Sequence, residues 1–177
     1  MQKSDKCYSS NRANKYIYVN YVDEHSFTAI EYWIELDEAN YVIRQITVDK
    51  KTNIEISCKT NCLAENRIII DELDGEIKFI SAHDFNDKWT EVLKDYQNSW
   101  VKDKQRRKLG KTITGKIKYF YPQGVILQVG NAQGLCDYNE CKQHVGNNLM
   151  YPDTIIKGEI IGYDDTNMWF IISNLKI

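Results

Sequence analysis

The sequence predicts an α+β N-terminal domain, an antiparallel sheet with one long helix, joined to an all-β five-stranded barrel. Three observations predict it. Residues 28–36 alternate apolar and polar side chains, and residues 85–100 repeat their apolar side chains at helical spacing. From Gly110 onward the chain breaks into short β-rich runs separated by turn residues.

The first strand is expected at 16–22, where tyrosine, isoleucine and valine suit a pleated surface. In the second, Thr28, Ile30, Tyr32, Ile34 and Leu36 alternate with Ala29, Glu31, Trp33 and Glu35, as a sheet with one face in water requires. The Asp-Glu-Ala-Asn turn at 37–40 leads into a third strand at 41–48 and makes an antiparallel hairpin. Shorter strands are expected at 53–58, 67–70 and 76–80. The period then changes, because Phe85, Trp89, Val92, Leu93, Tyr96 and Trp100 share one helical face. Ser81 followed by Asp84 predicts a capping box with aspartate in the acidic place, and Ile80 is positioned to pack on Phe85. The helix is expected to continue until Gly110, where glycine favours a stop. Barrel strands are expected at 111–121, 124–130, 134–138, 155–163 and 168–173, with turns at 131–134 and 164–167 and no strong helical period.

The net charge of the 177 residues is only −2, but it is unevenly spread. Residues 1–97 hold 12 basic and 18 acidic side chains, residues 98–109 hold five against one, and residues 110–177 hold six of each. An acidic domain, a basic helical connector and a neutral barrel follow from these sums. No stretch approaches the roughly 18 uncharged apolar residues of a membrane-spanning helix, and the polar first residues do not read as a signal peptide. Five cysteines, an odd number, point to reduced thiols and a cytoplasmic protein. Two prolines and twelve tyrosines favour folded strands over a disordered linker.

The barrel carries a resemblance. Gly110-Lys-Thr-Ile-Thr-Gly115-Lys-Ile, Gly124-Val-Ile-Leu-Gln-Val129, Gly134-Leu135, Lys157-Gly158-Glu159-Ile160 with Asp164, and Ile171-Ile172-Ser173-Asn174-Leu175-Lys176 follow one another in order. Together they resemble the OB-fold RNA-binding repeat named after ribosomal protein S-one. The resemblance implies a five-stranded barrel that binds single-stranded RNA on one face. This sequence departs from the repeat where aromatics flank the glycine of the second strand, which are here Gln123 and Ile126. Asp137 replaces a histidine, and Trp169 stands where a basic residue is common. A single-strand site needs stacking rings and a positive groove. Lys102, Lys104, Arg106, Arg107 and Lys108, with Lys111, Lys116 and Lys118, supply the charge, and Tyr119, Tyr121, Tyr138 and Trp169 supply the rings. More faintly, Lys15-Tyr16-Ile17-Tyr18-Val19, Tyr32-Trp-Ile-Glu35-Leu36-Asp37 and the 80–89 segment resemble small bacterial domains of uncharacterised function, some of them similar to immunity proteins. That resemblance supplies a domain boundary. The net charge of −6 on residues 1–97 carries the alternative to RNA binding, a protein-interaction module or immunity-type inhibitor whose acidic N-terminal domain pairs with a cationic partner.

No catalytic role is expected. His25, His83 and His144 lie in unrelated contexts, and no nucleophile elbow, phosphate loop or dinucleotide motif is present. Cys58-x3-Cys62 and Cys136-x4-Cys141-x2-His144 have short ligand-like spacings, but they fall in different domains and lack the common two-residue spacing, so no metal or other cofactor is expected.

Overall fold

The computed structural model describes residues 14–22, 28–49, 53–60, 63–64 and 66–176. Strands β1 (Lys15–Val22), β2 (Ala29–Leu36), β3 (Val42–Asp49), β4 (Asn53–Ile56) and β5 (Glu76–Phe79) form an antiparallel sheet in the order β4-β3-β2-β1-β5. The β2–β3 turn is held by the Asp37 carboxylate, which accepts from the amides of Ala39 at 2.8 Å and Tyr41 at 2.9 Å. Asn40 closes that turn with a φ of 66°, a left-handed conformation that asparagine tolerates.

Residues 67–70 do not form the expected strand. The Ile68 amide donates to the Asn40 carbonyl at 2.9 Å, and residues 70–72 make a 3-10 turn. Ile68 is buried with Ile17, Val19, Ile34, Leu36 and Val42, so this apolar run covers one sheet face instead of extending its edge. An uninterrupted apolar run has no alternation to fix a strand register, and it serves as well as a cover.

The other sheet face meets α1 (Ala82–Leu93). Its capping box is complete: the Asp84 amide donates to Ser81 Oγ at 3.1 Å, and the Ser81 amide donates to Asp84 Oδ2 at 3.2 Å. The expected single helix is interrupted by a 3-10 turn at Lys94–Tyr96, resumes as α2 (Gln97–Arg106) and stops short of Gly110. The tighter winding shifts the apolar face, so Phe85, Trp89, Leu93 and Trp100 are buried while Tyr96 is exposed. Glu35 and Arg44 face each other across β2 and β3 and form a buried ion pair beneath α1.

Strands β6 (Thr112–Tyr121), β7 (Gly124–Val129), β8 (Ala132–Cys136), β9 (Ile155–Asp164) and β10 (Trp169–Lys176) close into a barrel in the order β10-β8-β7-β6-β9. β10 pairs in parallel with β8 and antiparallel with β9. Two expectations are corrected here. The turn after β7 occupies only 130–131, so Ala132, Gln133 and Gly134 belong to β8. Tyr138 opens a helix, α3 (Tyr138–Val145), capped by Asp137, whose side chain accepts from the Glu140 amide at 2.9 Å. Only Cys141 of that helix is buried, too little to leave a helical period in the sequence.

Ile113, Ile117, Leu127, Ile156, Ile160 and Phe170 are buried in the barrel. β7 is unusual in being buried on both faces. Ile126 pairs with Leu135 while its neighbour Leu127 pairs with Gly134, so Ile126 points outward, yet it is fully buried. The cover comes from the N-terminal sheet and helices. One continuous core holds Ile46, Val48, Ile56 and Cys58, then Phe85, Trp89, Leu93 and Trp100, then the barrel side chains.

Candidate nucleic-acid interface

The register of β6 against β7 shifts between Ile117 and Tyr119, which carries Tyr119 and Tyr121 to the outer face. Their rings stack at 5.7 Å with an interplanar angle of 9°. Tyr121 is 8% exposed and its hydroxyl donates to the Ser57 carbonyl at 2.9 Å, which ties the barrel to the turn after β4. Tyr119 is half-buried, with the Lys118 ammonium 5.7 Å from its ring centroid. Phe120 is 43% exposed and meets Tyr138 edge-on at 6.3 Å, and the Lys142 ammonium lies 5.9 Å from the Tyr138 ring.

A groove of about 430 Å³ runs between this edge of the barrel and the sheet. Lys118, Tyr119, Phe120 and Pro122 line it on one side, and Tyr41, which is 45% exposed, lines it on the other. A half-exposed ring set beside an ammonium can stack a planar base and neutralise a phosphate.

Trp169 is placed differently from the sequence expectation. It is 1% exposed, and its indole N–H donates to the Cys58 carbonyl at 3.3 Å and to Gln133 Oε1 at 3.2 Å. Packed against the turn after β4, it offers no surface on which a base can stack, and the same holds for buried Tyr121. Gln123, in the β6–β7 turn, donates through Nε2 to the Ile43 carbonyl. The β9–β10 turn is also engaged: Trp89 Nε1 donates to the Thr166 carbonyl at 2.8 Å, and Trp100 Nε1 donates to Asp165 Oδ1 at 2.7 Å.

The basic connector is divided in the same way. Lys104 pairs with Asp165 and lies 5.3 Å from the Trp100 ring. Hydrogen bonds from Lys104 and then Trp100 hold the Asp165 carboxyl below its ordinary range. Arg107 pairs with Asp103, one helical turn earlier, and lies 5.8 Å from the Phe170 ring. Lys111 donates to the Arg106 carbonyl at 3.4 Å, and Lys116 is 4.0 Å from Asp153. Lys102, Arg106 and Lys108 are exposed, and none of them forms a salt bridge among the described residues.

Lys118 and Tyr119 are therefore brought together, whereas the connector is not added to them. Arg107 approaches the Val129 carbonyl at 3.5 Å, while Tyr121 pairs with Gly124 at the opposite end of β7. Those ends are separated by about 17 Å at the usual strand rise. Sequence reasoning passed over Tyr41 and Phe120. Tyr41 meets the barrel only through the tertiary fold, and strict alternation along β6 would have left Phe120 on one face with Lys116 and Lys118, whereas the register shift pairs it with Val125 on the face opposite Tyr119.

Cys136 and Cys141 are buried together, and the thiol–thiol hydrogen bond, with burial, pushes the Cys136 thiol far up. Cys62 and His25 lie outside the described residues. Among the described residues no three histidine, cysteine or carboxylate side chains converge on a point where a metal would sit, and no helix is long and apolar enough to cross a membrane. No protein-family model matches the chain, and no curated protein is similar to it at a significant level.

Proposed function

We propose that the chain is a non-catalytic protein that binds single-stranded RNA through an OB-fold barrel, at the groove between Tyr41 and the 118–122 segment. OB-folds hold oligonucleotides on the face of their second and third strands and by the loops joining strands one to two and four to five. In this chain that face carries buried Ile126 and Gln133, with Trp169 of the fifth strand bonded to Gln133 and to the turn after β4, and the loop between strands four and five is bonded to α1 and α2. The edge beside the first hairpin remains open. The observation that carries the reading is the set of half-exposed Tyr41, Tyr119 and Phe120 rings with the Lys118 ammonium in that opening.

Binding of this kind is modest. Two phosphate contacts, from Lys118 and Lys142, give a slope of log K against log salt of about −1.4 for a single strand. Fluorescence anisotropy with a labelled RNA of about 12 nucleotides measures both affinity and slope. Phe120→Ala and Tyr119→Ala each weaken binding by roughly 5- to 150-fold, the loss of one stacked base. Absence of a saturable signal at low salt, or variants that bind as tightly as the parent, would end the proposal.

A further inference from the structure

Lys59 lies in the turn after β4, half-buried, at the wall of a second cavity of about 210 Å³. The same turn bonds to Trp169 and to Tyr121, so it stands between this cavity and the ring groove that Tyr121 lines. Ser99 and Asp103 of α2 and Asn131 of the β7–β8 turn complete its lining. The Lys59 ammonium lies 5.5 Å from the Tyr96 ring centroid and has neither a hydrogen bond nor an ion pair among the described residues. Burial pushes its pKa down, and the opposing attractions of Cys58 and the Asp103 carboxylate do not offset that loss of water.

The surroundings favour an anion. Asp103 is the carboxylate at the wall, and it is already engaged by the Arg107 guanidinium, which mutes its repulsion of an incoming negative group. Ser99 and Asn131 are exposed neutral side chains able to donate. Lys102 and Arg106 flank Asp103 along α2 and remain exposed. The lining itself holds one cation, Lys59, and one acid, Asp103, and the positive field comes from Lys102, Arg106 and Arg107 on the connector outside the lining.

We propose that this cavity binds a phosphate group, held by the Lys59 ammonium with Ser99 and Asn131 as neutral donors. The site gives the connector charge a local task that the ring groove cannot use, since the two lie at opposite ends of β7. Its ligand is either free phosphate or the terminal phosphate of a nucleotide chain, and the two sources share the same chemistry.

Calorimetric titration of the full chain with inorganic phosphate and with pyrophosphate tests the first source. Anisotropy with RNA carrying a 5′-phosphate or a 5′-hydroxyl tests the second. Saturable binding is expected in at least one arm, weakened about tenfold or more by Lys59→Gln. Asn131→Ala, on an exposed turn, weakens it several-fold and reports on the same cavity if Lys59→Gln does not fold. Free phosphate binding that is unchanged by adding RNA assigns the site to free phosphate, and a preference for 5′-phosphorylated RNA assigns it to a strand terminus. Tyr119→Ala leaves phosphate binding intact, which separates this site from the ring groove. No saturable binding in any arm, or binding that survives both Lys59→Gln and Asn131→Ala, overturns the proposal.

Discussion

Glu35→Gln is the substitution for which the structure gives the clearest magnitude. Glu35 is 4% exposed, and its carboxylate accepts from Asn14 Nδ2 and the Tyr16 hydroxyl, both at 2.9 Å, as well as from Arg44 Nε. Arg44 also donates to Asn86 Oδ1 at 2.8 Å, with its guanidinium 4.8 Å and 5.1 Å from the Phe85 and Trp89 rings. The pair therefore fastens the sheet to α1. Glutamine keeps the shape but removes the charge, leaving a guanidinium buried beside a neutral amide. Among the described residues Arg44 Nη1 is buried without a partner, and none of them offers a spare acceptor to take over. Removing one member of a buried pair costs about 3–5 kcal/mol, out of a total stability of about 5–15 kcal/mol for a typical domain. With a urea m-value of about 2–3 kcal/mol/M, the unfolding midpoint falls by about 1–2.5 M. Tryptophan fluorescence follows the transition, since Trp89 stacks on Phe85 in this network. Replacing both charges by methionine restores most of the loss, to within about 1 kcal/mol of the parent, because neither charge is then left alone. A Glu35→Gln midpoint within about 0.3 M of the parent, or a double variant that loses the sum of the two single losses, refutes the reasoning.

The exposed Asp165 gives a pH-dependent prediction of definite sign. Its folded pKa lies below the unfolded value of about 3.9, so its stabilising effect is full above that value and disappears as the pH falls through the folded one. The gap in urea midpoint between the parent and Asp165→Asn is accordingly present at neutral pH and closes in acid, and a gap that widens in acid contradicts the assignment. Gly124→Ala tests the start of β7, where φ is +144° and an added Cβ would stand 2.5 Å from the Cys136 carbonyl oxygen. Backbone strain together with that clash costs about 2–4 kcal/mol, read as a lower thermal midpoint, and an unchanged midpoint contradicts it.

Much of the chain order was legible because its signals are local. The alternation at 28–36 sets β2, Ser81 and Asp84 cap α1 by direct contact, and the glycine-punctuated runs become the barrel strands. The misses share a different cause. Tyr119, Tyr121 and Trp169 read alike in the sequence, but their exposure is decided by a register shift in β6 and by a cover more than a hundred residues away along the chain. The connector cations also read alike. Arg107 had its partner Asp103 in view at one helical turn, whereas the partner of Lys104 is Asp165, 61 residues downstream. Tyr41 entered the groove by tertiary packing, and nothing in its own segment marks it for that role.

The bond between Trp169 and the Cys58 carbonyl spans 111 residues of chain. At a synthesis rate of about 5–20 residues per second, about 5 to 20 seconds separate the emergence of its two partners from a ribosome. During that interval Ile46, Val48, Ile56 and Cys58 form an apolar surface with no barrel to cover it. The nascent sheet is then an exposed edge-and-face template of the kind that chaperones protect, and slower translation lengthens its exposure. The capped helix that follows is synthesised within this window, so Phe85, Trp89 and Leu93 supply the first cover and the barrel completes it.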